Sequence, residues 1–480
     1  MKFIIKMRFT YLIITGILLV AFQKPVNAQL YNTLYWMKGI PQYTYSNPAL
    51  QPDAGIFIGF PAVSSLYLNF SHSGFAPEDL IKKSETGNTF FIDEQAMLEK
   101  LDRRNFLTLD YQHELLAFGF RTGRDYFSFN ISEKIGARMG YSRDLMRLLA
   151  DGNDYFLQQG IASGTDVPAE LSGLSLDAIH YREFGLGYSR QWTDRFSAGL
   201  RFKALQGMSN VYFERTELNL FTKPNNYELL LQTDILINTS LPFEIQPIDS
   251  IGNGIDFDPN EDDLIDYVTN RQNMGYALDV GASFKLSDKF TIAVSAIDLG
   301  FINWKSGVEN FRATGEFEFE GIDFNDFFGN ENEDSFEQIV DSIKDIFDFE
   351  ETTNSYRSLM PAKFFASVAY TPTRAHTFAL LARGEYYGGD IYPSFTASYN
   401  FHPVPRFGTT FSYSVIHWNY TNVGFGFQWN LGFLQLYAVV DNFFGALQPH
   451  TVQTANVHFG INLLGKYQSR KDPSAPSFRW

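Results

Sequence analysis

The last third of the chain is written in a two-residue period, with large apolar side chains on one face and small or amide side chains on the other. Val423, Phe425, Phe427, Trp429 and Leu431 alternate with Asn422, Gly424, Gly426, Gln428 and Asn430. Ala455, Val457, Phe459, Ile461 and Leu463 alternate in the same way with Thr454, Asn456, His458, Gly460 and Asn462. Successive side chains of a strand point to opposite faces of a sheet, so this is strand spacing. Phe196, Ala198, Leu200, Phe202 and Ala204 repeat it opposite Ser197, Gly199, Arg201 and Lys203. Val280, Ala282, Phe284 and Leu286 do so opposite Gly281, Ser283 and Lys285. A soluble sheet turns its aliphatic face inward and its charges outward. Here an apolar face recurs against a small, glycine-rich one, as in a wall whose outer side meets lipid.

Composition agrees with that wall. The 48 Phe, 26 Tyr and 6 Trp make the chain rich in rings, yet its mean hydropathy is only −0.17. Alternating strands produce that combination, and transmembrane helices do not. A large soluble all-β secreted protein is the competing fold. At the N-terminus, Lys2, Lys6 and Arg8 precede an apolar stretch from Phe9 to Phe22 and then Val26-Asn27-Ala28. This is the pattern of a signal peptide cut before Gln29, and the stretch is shorter than the roughly 20 apolar residues of a spanning helix. Removing residues 1–28 takes away four positive charges and no negative one, so the net charge goes from −16 to −20. That acidity excludes nucleic acid as a partner, which needs a basic footprint. The chain has no cysteine, so neither disulfides nor a lipidated Cys can hold or tether it.

The expected fold class is therefore all-β: a transmembrane antiparallel β-barrel with short helical insertions in its loops. Seventeen segments carry the strand pattern, among them 194–207 and 209–221, 226–240 and 272–287, and 289–304 and 308–320. Single-chain bacterial barrels have an even number of strands. Pro61 breaks the first segment and 308–320 reads as part of a loop, which leaves 14 to 16 strands in the wall. Trp192-Thr193-Asp194 and Leu286-Ser287-Asp288-Lys289 read as tight turns at one end, and long polar insertions fall at 72–105, 139–173, 241–271 and 321–356. Two insertions carry helical spacing. Phe336, Ile339, Val340, Ile343, Ile346 and Phe347 share one face of an acidic helix, and Leu145, Met146, Leu148 and Leu149 do so less regularly. Packing on the barrel mouth is the expected role of these faces, with a partner groove as the alternative.

The organisation that follows is a signal peptide at 1–28, a hatch-like segment at 29–53, the barrel at 54–466 and a tail at 467–480. Within it, Ser46-Asn47-Pro48-Ala49-Leu50, then Gly59-Phe60-Pro61, then Asn69-Phe70-Ser71-His72-Ser73-Gly74-Phe75, resemble in order a family of outer-membrane barrels of unassigned function. Tyr181–Ser189 is similar to a mid-barrel strand of that family and Gly432–Asn442 to its penultimate one, so the resemblance covers about residues 41–464. The family is distantly similar to FadL-like long-chain fatty-acid transporter barrels and to PorV-type barrels of a secretion system. The resemblance implies that the segment containing Asn47, Pro48, Ala49 and Leu50 folds into the lumen as a hatch. At this length the segment is too short for a complete plug, and Asn47-Pro48 reads equally well as an Asx-type turn launching the first strand. Tyr31, Tyr35, Trp36, Tyr43 and Tyr45 have apolar bodies and polar tips suited to a partly wet lumen.

Chemistry-bearing motifs are few. The eight His are scattered, and neither Gly-x-Ser-x-Gly nor His-Glu-x-x-His occurs, so the expectation is no enzyme and no cofactor. The acids from Asp256 to Asp263 alternate like a calcium loop, but Glu261 stands where an EF-hand needs Gly and Tyr267 where it needs Glu, so no metal site is expected there. Arg201, Lys203, Arg383 and Glu385 fall on lumen-facing positions, where they either pair with one another or line a path. Two functions follow: a FadL-like conduit for hydrophobic or amphipathic small molecules, or a PorV-like scaffold for a cell-envelope protein. Outer-membrane lipid is the expected surrounding of either.

Overall fold

The computed structural model describes residues 32–83, 90–223, 228–242, 267, 269–319, 349–416 and 419–465. The strands close into one antiparallel barrel with 14 positions in its wall. In chain order these are β1 (Ile56–Gly59 and Leu66–His72), β2 (Arg104–Thr122), β3 (Asp125–Ser142), β4 (Ser175–Gln191) and β5 (Phe196–Thr222). Then come β6 (Leu229–Ser240 and Met274–Lys285), β7 (Phe290–Trp304 and Val308–Phe319) and β8 (Phe349–Thr352, Tyr356–Leu359 and Ala362–Thr373). The wall continues through β9 (His376–Tyr387), β10 (Asp390–Val404), β11 (Phe407–Ile416), β12 (Asn419–Leu431), β13 (Leu434–Val440) and β14 (Thr454–Gly465). Each pairs with its sequence neighbours, and β14 returns to β1 through Ile56↔Gly465 and Leu66↔Phe459, so the ring has no free edge.

Three mergers bring the seventeen candidate segments to these 14 positions. Segments 194–207 and 209–221 are a single strand of 27 residues; a bulge opposite His180 and Tyr181 passes over Met208 where the two segments meet, and a second, opposite Leu236 and Ile237, passes over Glu214. Segments 226–240 and 272–287 share one place between β5 and β7. Segment 308–320 is not a loop: Val308–Phe319 prolongs β7 along the upper half of β6. A tilted strand crosses a bilayer in about 9–11 residues, so the upper halves of β5, β6 and β7 stand clear of it as a flap. That sheet carries the exposed pairs of a wetted surface, such as Arg215 with Asp234 at 2.6 Å and Gln232 with Glu316 at 2.9 Å.

The facing follows the alternation. Leu200, Phe202, Val280, Phe284, Trp429 and Phe459 are exposed on the outside, while Arg201, Lys203, Asn456, His458 and Asn462 are buried within. Near the short-turn end, stacked rings run along the outer surface, with Phe120 on Phe127 at 5.2 Å, Phe290 on Tyr370 at 4.7 Å and Phe378 on Tyr399 at 5.0 Å. Such a girdle marks a membrane–water interface. The turns at 192–194 and 286–289 sit at this end, each closed by a backbone bond, Thr193 N to Phe196 O and Ser287 N to Phe290 O.

Pro61 does interrupt β1. The chain bulges at residues 60–65 and Ser64 turns into the lumen, while Ala62 N donates to Leu115 O and Ile461 N to Val63 O, which keeps the wall bonded. At the other end α1 (Arg143–Asp151) is capped by Ser142, whose hydroxyl accepts from Leu145 N. Its Leu145 and Leu148 pack with Phe156 of α2 (Asp154–Ser163) and with Leu220 and Leu229 of the flap. The acidic helix around 336–347, the acidic loop 256–263, the signal peptide and the tail lie outside the described residues.

Phe459 sits midway along β14 on the lipid side. Phe459→Arg is expected to cost about 2–4 kcal/mol at that depth. It should abolish the heat-modifiable band on gels, which Phe459→Leu should retain.

Candidate functional site

The lumen is occupied from the short-turn end by residues 32–53. Two single-turn 3-10 helices, Leu34–Trp36 and Pro41–Tyr45, fold this stretch compactly enough to bury Leu34, Tyr35, Met37, Ile40, Tyr43, Asn47 and Ala49 almost completely. No strand ladder holds it. Side chains do, from around the whole ring. Thr33 donates its N–H to Asp441 at 2.7 Å and meets Ser412 through its hydroxyl at 2.7 Å. Gln42 and Asn462 exchange two amide bonds of 2.9 Å. Gln435 reaches Gly39 O at 2.7 Å, Ser295 reaches Ser46 O at 2.6 Å, and Gln51 reaches Arg124 O at 3.1 Å. Tyr35 stacks on Phe365 with centroids 5.5 Å apart.

Glu114 of β2 is the most connected of these anchors. Its buried carboxylate accepts from Gln42 at 3.1 Å, from the inturned Ser64 at 2.6 Å and from Tyr45, over whose ring Arg201 lies at 4.0 Å. Asn47 joins the two expected readings. Its Oδ1 accepts from Ala49 N at 2.9 Å, which is the Asx-type turn, and its Nδ2 reaches Tyr35 and Val294 O inside the lumen at 3.2 Å. Pro48, Ala49 and Leu50 follow into the same packing. The wall makes room for them with glycine. A Cβ on Gly199 would stand 2.2 Å from Pro48 O, one on Gly281 2.1 Å from Asn47 Oδ1, and one on Gly424 2.3 Å from Thr33 Oγ1.

Above this segment the inward side chains are charged and largely matched. Glu183 of β4 takes Lys134 of β3 at 2.6 Å and Arg201 of β5 at 3.2 Å. Lys203 bridges to Asp279 of β6 at 2.8 Å and to Asp298 of β7, which also takes Lys363 of β8 at 2.9 Å. Further up, Glu385 of β9 holds both Arg138 at 3.1 Å and Arg383. The four lumen residues read from sequence, Arg201, Lys203, Arg383 and Glu385, are thus buried members of an ion-pair lattice. Cavities within it include one of about 50 Å3 resting on Tyr45 and Glu114 and one of about 100 Å3 nearer the mouth beside Asp110, Arg138 and Asp177.

Arg383 and Glu385, two of the expected residues, pair with each other, but the other partners are not among the sequence candidates. Glu183 and Lys134 lie on inward positions of alternating strands, and strict periodicity would have found them. Asp298 was out of reach of periodicity: it adopts φ of 60° at a bulge that turns both Ile297 and Asp298 inward. Short as it is, the stretch 32–53 is buried against the inner faces of strands on several sides of the ring. Tyr31 lies outside the described residues. Among the described residues no group of three His, Cys, Asp or Glu is placed to hold a metal ion.

Two outcomes test this geometry. Gly199→Val must displace the Pro48 backbone, so limited trypsin digestion should cut at Lys38, the only basic residue in 32–53, faster than in the parent. Glu183→Gln strands Lys134 and Arg201 without their shared counter-charge, and loss of one partner of a buried pair costs about 3–5 kcal/mol. The denaturant midpoint of the refolded barrel should fall accordingly.

No curated protein matches the chain in sequence. Among solved structures, the toluene transporter TbuX of Ralstonia pickettii overlaps with a TM-score of 0.41 at 10% identity, covering 92% of this chain and 100% of that one. A FadL homologue of Pseudomonas aeruginosa overlaps at 0.41 with 9% identity (88% and 93% covered), and the P. putida toluene transporter TodX at 0.35 with 11% (89% and 95%). The barrel rests on the strand pairing above and not on these likenesses. A family model matches residues 48–441, from the plug's Pro48 through nearly the whole wall, and the chain belongs to that family of unknown function (DUF5723).

Proposed function

We propose that this protein is an outer-membrane conduit for small amphipathic molecules, shut at its short-turn end by residues 32–53. The observation that carries this reading is how the segment is held. It lies inside a closed barrel, buried on all sides, and is bound by side-chain hydrogen bonds to strands all around the ring rather than by a ladder. A segment fixed in that way can leave without unzipping the wall, whose backbone bonds do not depend on it. The passage above it supports a cargo with polar parts, because charged pairs alternate there with the rings of Tyr181 and Tyr387. The short turns and the plug face the periplasm in this reading, and the flap and helices face outward.

Deleting residues 30–45 behind an intact signal peptide tests it. The shortened protein should still show a heat-modifiable band, and its conductance in planar bilayers should rise from near zero to an open-pore level. A truncated barrel that assembles yet conducts no better than the parent would remove the conduit reading.

A further inference from the structure

We infer that the larger lumen cavity is a binding site for a small zwitterion of amino-acid type, with an ammonium at one end and a carboxylate at the other. The inference rests on the conduit reading, since it names a cargo class for the same lumen. The cavity of about 100 Å3 lies on the mouth side of the plug. A single water needs about 10–15 Å3, so the space suits several waters or one small solute.

Its polar lining is mismatched in two opposite senses. Arg138 is 9% exposed, gives Nη2 to Glu385 at 3.1 Å and lies over the Tyr387 ring at 3.8 Å, but its Nε and Nη1 have no partner. Thr108, 1% exposed, likewise has an unpartnered hydroxyl. These groups call for an acceptor. Asp110 and Asp177 line the same cavity and enter no direct ion pair among the described residues; Asp110 accepts from Asn69 at 3.0 Å, Asp177 accepts from Tyr387, and both share the field of the single guanidinium of Arg138, which Glu385 already holds. These groups call for a cation. Lys134 and Lys363, which also border the space, are already paired with Glu183 and Asp298.

Buried polar groups are normally satisfied, and a cluster that is not marks a place where something is missing. A simple anion would answer Arg138 and Thr108 and leave the two carboxylates without a cation of their own, held only by Asn69, Tyr387 and a guanidinium the anion would then occupy. A simple cation would do the reverse. A molecule with a carboxylate toward Arg138 and Thr108 and an ammonium toward Asp110 and Asp177 answers both. Ile179 and Met360 on the adjoining wall offer an apolar surface to its side chain.

Calorimetric titration of the detergent-solubilised barrel with L-leucine, with 3-methylbutylamine and with 4-methylpentanoate tests the assignment, because the last two are leucine without its carboxylate and without its amine. Saturable leucine binding is expected, with each half-molecule weaker by at least about tenfold. The double variant Asp110→Asn, Asp177→Asn should lose leucine binding by a similar factor while keeping its heat-modifiable band. Three results would overturn the site: no saturable heat with leucine at millimolar concentration, which means water alone fills the cavity; equal binding of either half-molecule; or unchanged binding by the double variant. Conductance after deletion of 30–45, measured on the same preparation, separates the two readings. An open pore that binds no leucine overturns this site alone, and leucine binding without an open pore overturns the conduit.

Discussion

The hydrocarbon core of a membrane offers no water, so every backbone N–H and C=O at that depth must find a partner in the protein. The closure of β14 onto β1 meets that demand for the wall as a whole. The irregular places show how strictly it applies. Where an insertion splits β6, Asn273 bonds across the break. Its carbonyl takes Gly207 N at 2.7 Å and its side chain takes Lys305 N and Ser306 N at 2.7 and 3.0 Å, while Leu241 N reaches Gly307 O. Where Pro61 removes a donor from β1, the bulge at 60–65 bonds to both neighbours instead. Each departure from the regular ladder is mended within the wall.

Closure also decides the interior. With apolar side chains turned outward to lipid, alternation sends the others into an enclosed space away from bulk water. Charges there are costly unless matched. The lattice from Lys134 to Glu385 matches most of them across adjacent strands, and it cross-links β3 to β9 by side chains as well as by backbone. Asp298 accepts an unfavourable backbone conformation at its bulge to bring a carboxylate within reach of two lysines. Beside Arg138 the matching is incomplete, since its Nε and Nη1 have no hydrogen-bond partner.

The seating of residues 32–53 in the lumen follows from the same geometry. Glycines on β5, β6 and β12 hollow the inner wall where Pro48, Asn47 and Thr33 press against it. The segment contributes amides, hydroxyls and rings, which suit a half-wet interior. It is held by many separate side-chain hydrogen bonds, some neutral and some to the carboxylates of Glu114 and Asp441, each of modest net strength. The wall, by contrast, is bound by continuous backbone ladders.

The local sequence determined the barrel, because lipid outside and a filled lumen inside impose a period of two that can be read residue by residue. The facing of Phe459 and Arg201 was legible for that reason, and turn chemistry and proline marked the tight turns at 192–194 and 286–289 and the break at Pro61, whereas a place inside the barrel for residues 29–53 came only from the family resemblance. What only the tertiary structure decided is which pieces share a place and which charges meet. That Leu229–Ser240 and Met274–Lys285 occupy one wall position depends on pairing with β5 and β7, which no local period encodes. Asp298 reaches Lys203 and Lys363 only through a bulge, and Glu114 reaches Gln42 and Tyr45 only because the barrel closes around them. Strand facing is a property of neighbours in the chain, whereas a lumen site is a meeting of residues from opposite sides of a ring, and only closure brings them together.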